Sequence, residues 1–256
     1  MNRLIAANWK MNKTAEESVL FIKEFKKLMN NTGNADLVIC PPFTSLEAVS
    51  KEIKNSGIKL GAQNMHFENA GAYTGEISPL MLKEIGCEYV ILGHSERREF
   101  FNEDDSLINK KVIAALNSGL KPILCIGENW EQRVQEKTED VIEDQLIKGL
   151  QNADKIKNVV IAYEPVWAIS RGNAAQKPAT KGEAEEAHLF IRKLLEGIYD
   201  EKSAKETRII YGGSVKPENA KELLNMKNID GGLVGNASLD PKSFYEIILA
   251  AKMGHI

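Results

Sequence analysis

A lone acid ends the apolar run NVVIAY: Glu164, followed at once by Pro165, Val166 and Trp167 and then by the polar stretch AISRGNAAQK. A carboxylate screened from water by a following loop is a stronger base than one in bulk solvent, because burial disfavours the charged form. A positioned base of this kind accelerates proton transfer by about 10²–10⁴-fold. The plainer reading is a capping acid followed by an exposed connection. His94 stands in ILGHSERR, where Ser95 has the residue type to cap a helix with an acidic first turn. A helix N-terminus aimed at the imidazole would keep the ring neutral and free to donate a hydrogen bond to a substrate oxygen. A satisfied histidine at a strand–helix junction is the alternative. Lys10, in NWKMN, supplies an ammonium that could stabilise a phosphate or a developing oxyanion, with Asn8 orienting it. Most lysines are simply solvated.

Two glycine-containing stretches complete the set. Gly212-Gly213-Ser214 and Gly235-Asn236 each follow an apolar run and offer backbone N–H groups of the kind that cradle phosphate at a helix start. Either one alone reads as a tight turn.

These residues need elements to position them. Short runs rich in Ile, Val and Leu recur as RLIAANWK, ADLVICPP, IKLGAQN, YVILGHS, KPILCIGE, NVVIAYEP, RIIYGGS and GGLVGNAS. They are continuously apolar, as strands covered on both faces should be. Amphipathic stretches lie between them. Helices are expected over Ala15–Met29, with Val19, Leu20, Phe25 and Leu28 near one stripe, and over Ser106–Asn117, Glu131–Leu150 and Gly182–Tyr199. Eight strand–helix units without a linker predict an α/β chain closed into one (β/α)₈ barrel, a single domain over residues 1–256. Two half-sized doubly wound domains would share the periodicity but need a boundary that the composition does not mark. In a barrel the polar residues at strand C-terminal ends share one mouth. The set is Asn8 and Lys10, Gln63 and Asn64, His94, Glu128, Glu164, Ser214, and Gly235 with Asn236.

Composition narrows the classes. A net charge of −3 with mixed signs provides no basic field for nucleic acid, and no apolar run reaches the ~18 residues of a membrane span. Cys40, Cys87 and Cys125 are odd in number and far apart, and read as buried free thiols in a reducing, cytoplasmic setting. The four histidines have no metal-ligand spacing, so neither metal nor cofactor is expected.

The motifs NWKMN (8–12), GAQNMHFENAGAYTGEIS (61–78), ILGHSERR (91–98), CIGE (125–128), YEPVWAI (163–169), YGGSV (211–215) and LVGNASL (233–239) resemble the triosephosphate isomerase family in order and spacing, over essentially the full chain. The resemblance implies a TIM barrel that interconverts dihydroxyacetone phosphate and D-glyceraldehyde 3-phosphate through an enediolate, in glycolysis and gluconeogenesis. It implies Glu164 as base, His94 as hydrogen-bond donor, and Lys10 with Asn8 on the substrate. Ser170, Ser214, Gly235 and Asn236 would hold the phosphate, with Ser95, Glu96 and Cys125 behind the reacting groups. It also implies a homodimer in which the long loop Gln63–Ser78, with Thr74 near its tip, inserts beside the partner's Lys10.

Two features depart from the family. The segment from Ala168 to Gln176, between the hinge-like Pro165-Val166-Trp167 and Lys177-Pro178-Ala179, is longer than usual and lacks its glycine-rich tip. Length of this kind is thermodynamically cheap, about 0.6 kcal/mol per doubling, so a lid that still closes, with Arg171 outside it or at its rim, is expected. Asn236 stands where the family usually has a second glycine, and asparagine tolerates positive φ better than most residues. Two other classes remain to be distinguished. An aldolase-like lyase would want a Schiff-base lysine or a metal cluster, and a non-catalytic relative would have little reason to keep Lys10, His94 and Glu164 together.

Overall fold

A computed structural model describes residues 1–29, 35–169 and 179–251. Eight parallel strands form a closed barrel in sequence order: β1 (Leu4–Asn8), β2 (Asp36–Cys40), β3 (Lys59–Ala62), β4 (Cys87–Leu92), β5 (Lys121–Ile126), β6 (Val160–Tyr163), β7 (Arg208–Tyr211) and β8 (Gly231–Val234). The seam closes by pairing Leu4 through Ala7 of β1 with Gly231 through Val234 of β8.

Strand side chains alternate between two environments. Leu4, Ala6, Val38, Cys40, Tyr89, Ile91, Ile123, Cys125, Val160, Ala162, Ile210 and Leu233 fill the barrel interior as one cluster. Their neighbours Ile5, Ala7, Ile39, Val90, Leu92, Leu124, Ile126, Ile161, Tyr163, Ile209 and Tyr211 face outward into the layer beneath the helices. Both faces are dry, so the strands read as unbroken apolar runs.

The outer layer comprises α1 (Ala15–Leu28), α2 (Leu46–Glu52), α3 (Pro79–Ile85), α4 (Ser95–Phe101), α5 (Asp105–Asn117), α6 (Trp130–Val134), α7 (Thr138–Gly149), α8 (Lys181–Ile198), α9 (Glu201–Glu206), α10 (Pro217–Leu224) and α11 (Pro241–Ala251). α1 begins at a capping box: the Glu17 N–H donates to Thr14 Oγ1, and the Thr14 N–H donates to the Glu17 carboxylate. α8 repeats the device with Thr180 and Glu183. Rings run from the end of β1 across the seam, with Trp9 against Phe21, Phe21 against Phe25 and Phe25 against Phe244 of α11. They join the first and last helices over the closure. No helix among the described residues is long and apolar enough to cross a membrane.

Three local expectations are corrected. The buried stripe of α1 is Ser18, Phe21, Ile22 and Phe25. Its spacing of i, i+3, i+4 and i+7 turns Leu20 away from the barrel, where it is 59% exposed. The stretch Glu131–Leu150 is two helices, because Glu136 adopts a left-handed φ of 57° between α6 and α7. α5 begins one residue earlier than expected, where Asp104 accepts from the Leu107 N–H. We therefore expect Phe25→Ala to cost about 3–5 kcal/mol in urea unfolding, and Leu20→Ala to stay within about 0.5 kcal/mol. Equal losses would contradict this burial pattern.

Candidate active site

The C-terminal ends of the strands open into a pocket of about 560 Å³. Its lining includes Asn8, Lys10, His94, Glu164, Ser214, Gly235 and Asn236. Strand alternation explains most of this convergence. Asn8 continues the inward series Leu4, Ala6; Glu164 continues Val160, Ala162; Gly212 and Ser214 continue Ile210. His94 reaches the mouth by a different route, because Gly93 adopts a φ of 69° that breaks the alternation at the end of β4.

Glu164 is 2% exposed. Its N–H donates to Ile126 O at 2.7 Å, and its Oε2 accepts from the Ser95 N–H at 3.0 Å. Oε1 lies 3.2 Å from His94 Nε2. The alignment is not that of a hydrogen bond, and Oε1 has no hydrogen-bond partner among the described residues. Tight packing surrounds this carboxylate. A Cβ on Gly212 would come within 2.7 Å of Glu164 Cγ, and one on Gly127 within 1.9 Å of Glu164 O. The Cys125 thiol also faces it. Burial, and then the charge of Glu164, push that thiol well above its ordinary range, so it is held protonated behind the carboxylate.

His94, not Ser95, is the N-cap of α4: its Nδ1 accepts from the Glu96 N–H at 3.2 Å. The expected Ser95 cap is thus replaced by the histidine's own ring, because Ser95 is already inside the helix and its N–H is committed to Glu164. An Nδ1 that accepts leaves the ring proton on Nε2, the nitrogen facing Glu164. Lys10 has a left-handed φ of 53°, held by its N–H on Asn8 Oδ1 at 3.1 Å and by Gln63 Nε2 donating to its carbonyl at 2.8 Å. Its Nζ donates to Glu96 Oε1 at 2.7 Å, and its Cε passes 3.7 Å from where a Cβ on Gly235 would lie.

Gly235 has a φ of −85° and caps the short turn Asn236–Ser238. Asn236 does not adopt a positive φ, so the tolerance of asparagine for that conformation is not called on there. Trp9 Nε1 donates to Ser238 O, tying this turn to the end of β1. Ser170 and Arg171 lie outside the described residues.

Three strand-end residues do not join the mouth. Glu128 falls on the outward side of β5 and is fully buried. It accepts from the Tyr163 hydroxyl, from Trp167 Nε1 at 2.7 Å and from Thr138 Oγ1. Asn64 accepts from the buried Lys111 ammonium. Gln63 braces the Lys10 carbonyl from behind. Conversely, Ile169 lines the pocket, and Arg98 donates to Gly93 O and Cys125 O, fixing the ends of β4 and β5. Sequence reasoning passed over both. The second arginine of ILGHSERR carried no local signal for that job.

Comparison with known proteins now bears on the site. Residues 3–251 match the family model described as Triosephosphate isomerase. The triosephosphate isomerase of Dictyoglomus turgidum is 53% identical over 249 residues, covering 96% of this chain and 98% of that protein. That of Aquifex aeolicus is 52% identical, covering 97% and 99%. The crystal structure of triosephosphate isomerase from Bartonella henselae superposes with a TM-score of 0.89 at 38% identity, covering 98% of this chain and 99% of that one.

The chain belongs to the triosephosphate isomerase family.

It is accordingly an isomerase that interconverts dihydroxyacetone phosphate and D-glyceraldehyde 3-phosphate, a step of glycolysis. The closed eight-stranded parallel barrel is the TIM barrel expected of a triosephosphate isomerase family member. Within that frame the tightness around Glu164 yields a test. Gly212→Ala should displace the Glu164 carboxylate and, were that carboxylate the reacting group, lower kcat by about 10-fold or more. Steady-state kinetics in both directions would show this, and unchanged kcat would mean that the packing around Cγ does not place the group.

Proposed function

We propose that Glu164 is the base of this isomerisation, and that His94, Lys10 and Asn8 hold the oxygens on which charge develops. The observation that supports the reading best is the 3.2 Å approach of Glu164 Oε1 to His94 Nε2 at a mouth shared with Lys10. Glu164 removes a proton from C1 of dihydroxyacetone phosphate, and an enediolate forms across C1 and C2. His94 Nε2–H donates to the enediolate oxygens, and the Lys10 ammonium offsets their charge and that of the phosphate. Glu164 then returns the proton to C2 while the hydroxyl proton on O1 passes to O2 by way of His94 Nε2, so that C1 becomes the aldehyde carbonyl and C2 carries the hydroxyl. Ketose and aldose are isomers, so the step closes with neither oxidant nor reductant, and we propose that the chain needs neither metal nor cofactor.

The phosphate sits in this reading against the backbone of Gly212-Gly213-Ser214 and Gly235-Asn236, with the Asn236 N–H as donor at the start of its turn. Ser170 would add an N–H from the lengthened loop, which excludes water so that the enediolate does not lose its phosphate. Glu96 and Cys125 act from behind, through Lys10, His94 and Glu164.

We further propose that residues 1–256 form one domain of a cytoplasmic homodimer, with no nucleic-acid or membrane partner. The loop Gln63–Ser78 carries no helix or strand, and its residues 68–76, Thr74 included, are exposed. Met11, next to Lys10, is 95% exposed, and Tyr73, Leu80 and Met81 add apolar surface around the loop. Sedimentation equilibrium at micromolar concentration should report a dimer, and a monomer there would contradict this assembly.

Glu164→Asp retracts the carboxylate by one methylene. It should lower kcat by about 100-fold or more with little change in KM. Retention of wild-type kcat in a coupled assay would remove Glu164 from the role of base.

A further inference from the structure

Arg133 belongs to no part of the pocket, yet its guanidinium touches the chain on both sides of residues 170–178. Its carbon centre lies 5.2 Å from the ring centroid of Trp167, and Nη2 donates to Glu183 Oε1 at 2.7 Å. Trp167 is in the turn Val166–Ala168 that leaves β6, and Glu183 is in the first turn of α8. Glu183 does double duty, because its Oε2 accepts from the Thr180 N–H and hydroxyl that start the helix. Nη1 of Arg133 also reaches Thr138 Oγ1 at 3.4 Å, and that hydroxyl donates to Glu128 Oε1. The platform beneath Arg133 is well defined, since α6 is capped by reciprocal bonds between Asn129 and Gln132.

These contacts form a continuous path to the base. The Arg133 cation lies over the Trp167 ring; Trp167 Nε1 donates to Glu128; Glu128 accepts from the Tyr163 hydroxyl; and Tyr163 precedes Glu164. Glu128 is fully buried, so its position follows that of its donors. A planar cation suits this task, because one face can cover an indole while the edge donates to a carboxylate.

We propose that Arg133 is a positioning residue for the isomerisation, a brace that holds the exit of β6 and the start of α8 in fixed relation and thereby keeps Glu164 aligned. The proposal rests on the reading of Glu164 as base. Its distinctive consequence lies in the fate of the enediolate. A misaligned base returns the proton slowly, and the intermediate then has time to expel phosphate. The C–O bond breaks, phosphate leaves with the electron pair, and the remaining enol rearranges to methylglyoxal. Dihydroxyacetone phosphate is thus converted to methylglyoxal plus inorganic phosphate, with atoms balanced.

The test compares Arg133→Ala, Arg133→Lys and Glu183→Gln with wild type and with Glu164→Asp, measuring kcat, KM, melting temperature and methylglyoxal per turnover. For Arg133→Ala, kcat should fall about 3- to 20-fold with KM within about twofold, and the methylglyoxal fraction should rise by at least about threefold. Arg133→Lys and Glu183→Gln should lie between it and wild type, and they carry the test if Arg133→Ala does not fold. An unchanged methylglyoxal fraction across the folded variants, with Glu164→Asp crippled, overturns the brace alone. Wild-type activity in Glu164→Asp would instead overturn the base assignment on which it stands.

Discussion

Closure of eight parallel strands into a barrel imposes an inside-or-outside choice on every strand residue, and the site depends on that choice being extended past the strand ends. Asn8 and Glu164 reach the mouth because they share the inward alternation of Leu4, Ala6 and of Val160, Ala162. Glu128 and Asn64, one residue out of phase, turn outward into buried hydrogen-bond networks. A shift of one residue would exchange these roles, since the side-chain period of a strand is two. Where the alternation would have turned a side chain away from the mouth, a glycine intervenes, as Gly93 does before His94.

Two polar groups at the mouth, His94 and Glu164, take their partners from local backbone, and Lys10 takes its partners from side chains. The Glu96 N–H settles which nitrogen of His94 is an acceptor, and the Ser95 N–H settles which oxygen of Glu164 is occupied. Two consecutive amides at one helix start thereby leave Nε2 and Oε1 facing each other in the pocket. Lys10 is held in a strained left-handed conformation by Asn8 and Gln63, and its ammonium is paired with Glu96. Strain of this sort, about 1–3 kcal/mol, persists when surrounding contacts over-determine it. Burial of Glu164 and His94 strengthens the bonds they make, whereas the Lys10–Glu96 pair is partly exposed.

Glu164 is further confined from below and from the side. Cys125 presents a protonated thiol rather than a second charge on that side of the carboxyl group. Gly127 and Gly212 leave room for the backbone and side chain of Glu164 where any Cβ would collide. The outward-facing Glu128 network anchors the adjacent Tyr163 and Trp167 without entering the pocket. The pocket mouth and the hydrogen bonds beneath the helices therefore meet in one short stretch of chain.

Much of this was legible in the residues themselves. Unbroken apolar runs mark strands buried on both faces, and the acid, imidazole, ammonium and glycine types announce what they can do. Other features were not. Leu20 suits a helix stripe by type but faces solvent, and the break at Glu136 has no proline or glycine to mark it. His94 caps its own helix although a serine follows it. By itself the sequence determined the element types, their order and the reactive groups available, because those follow from short-range propensity and two- or 3.6-residue periods. Only the tertiary structure decided which strand-end residues meet and at what distances. Those contacts join residues as far apart as Ser95 and Glu164, and their geometry is set by strand alternation, barrel closure and the amides at the start of one helix.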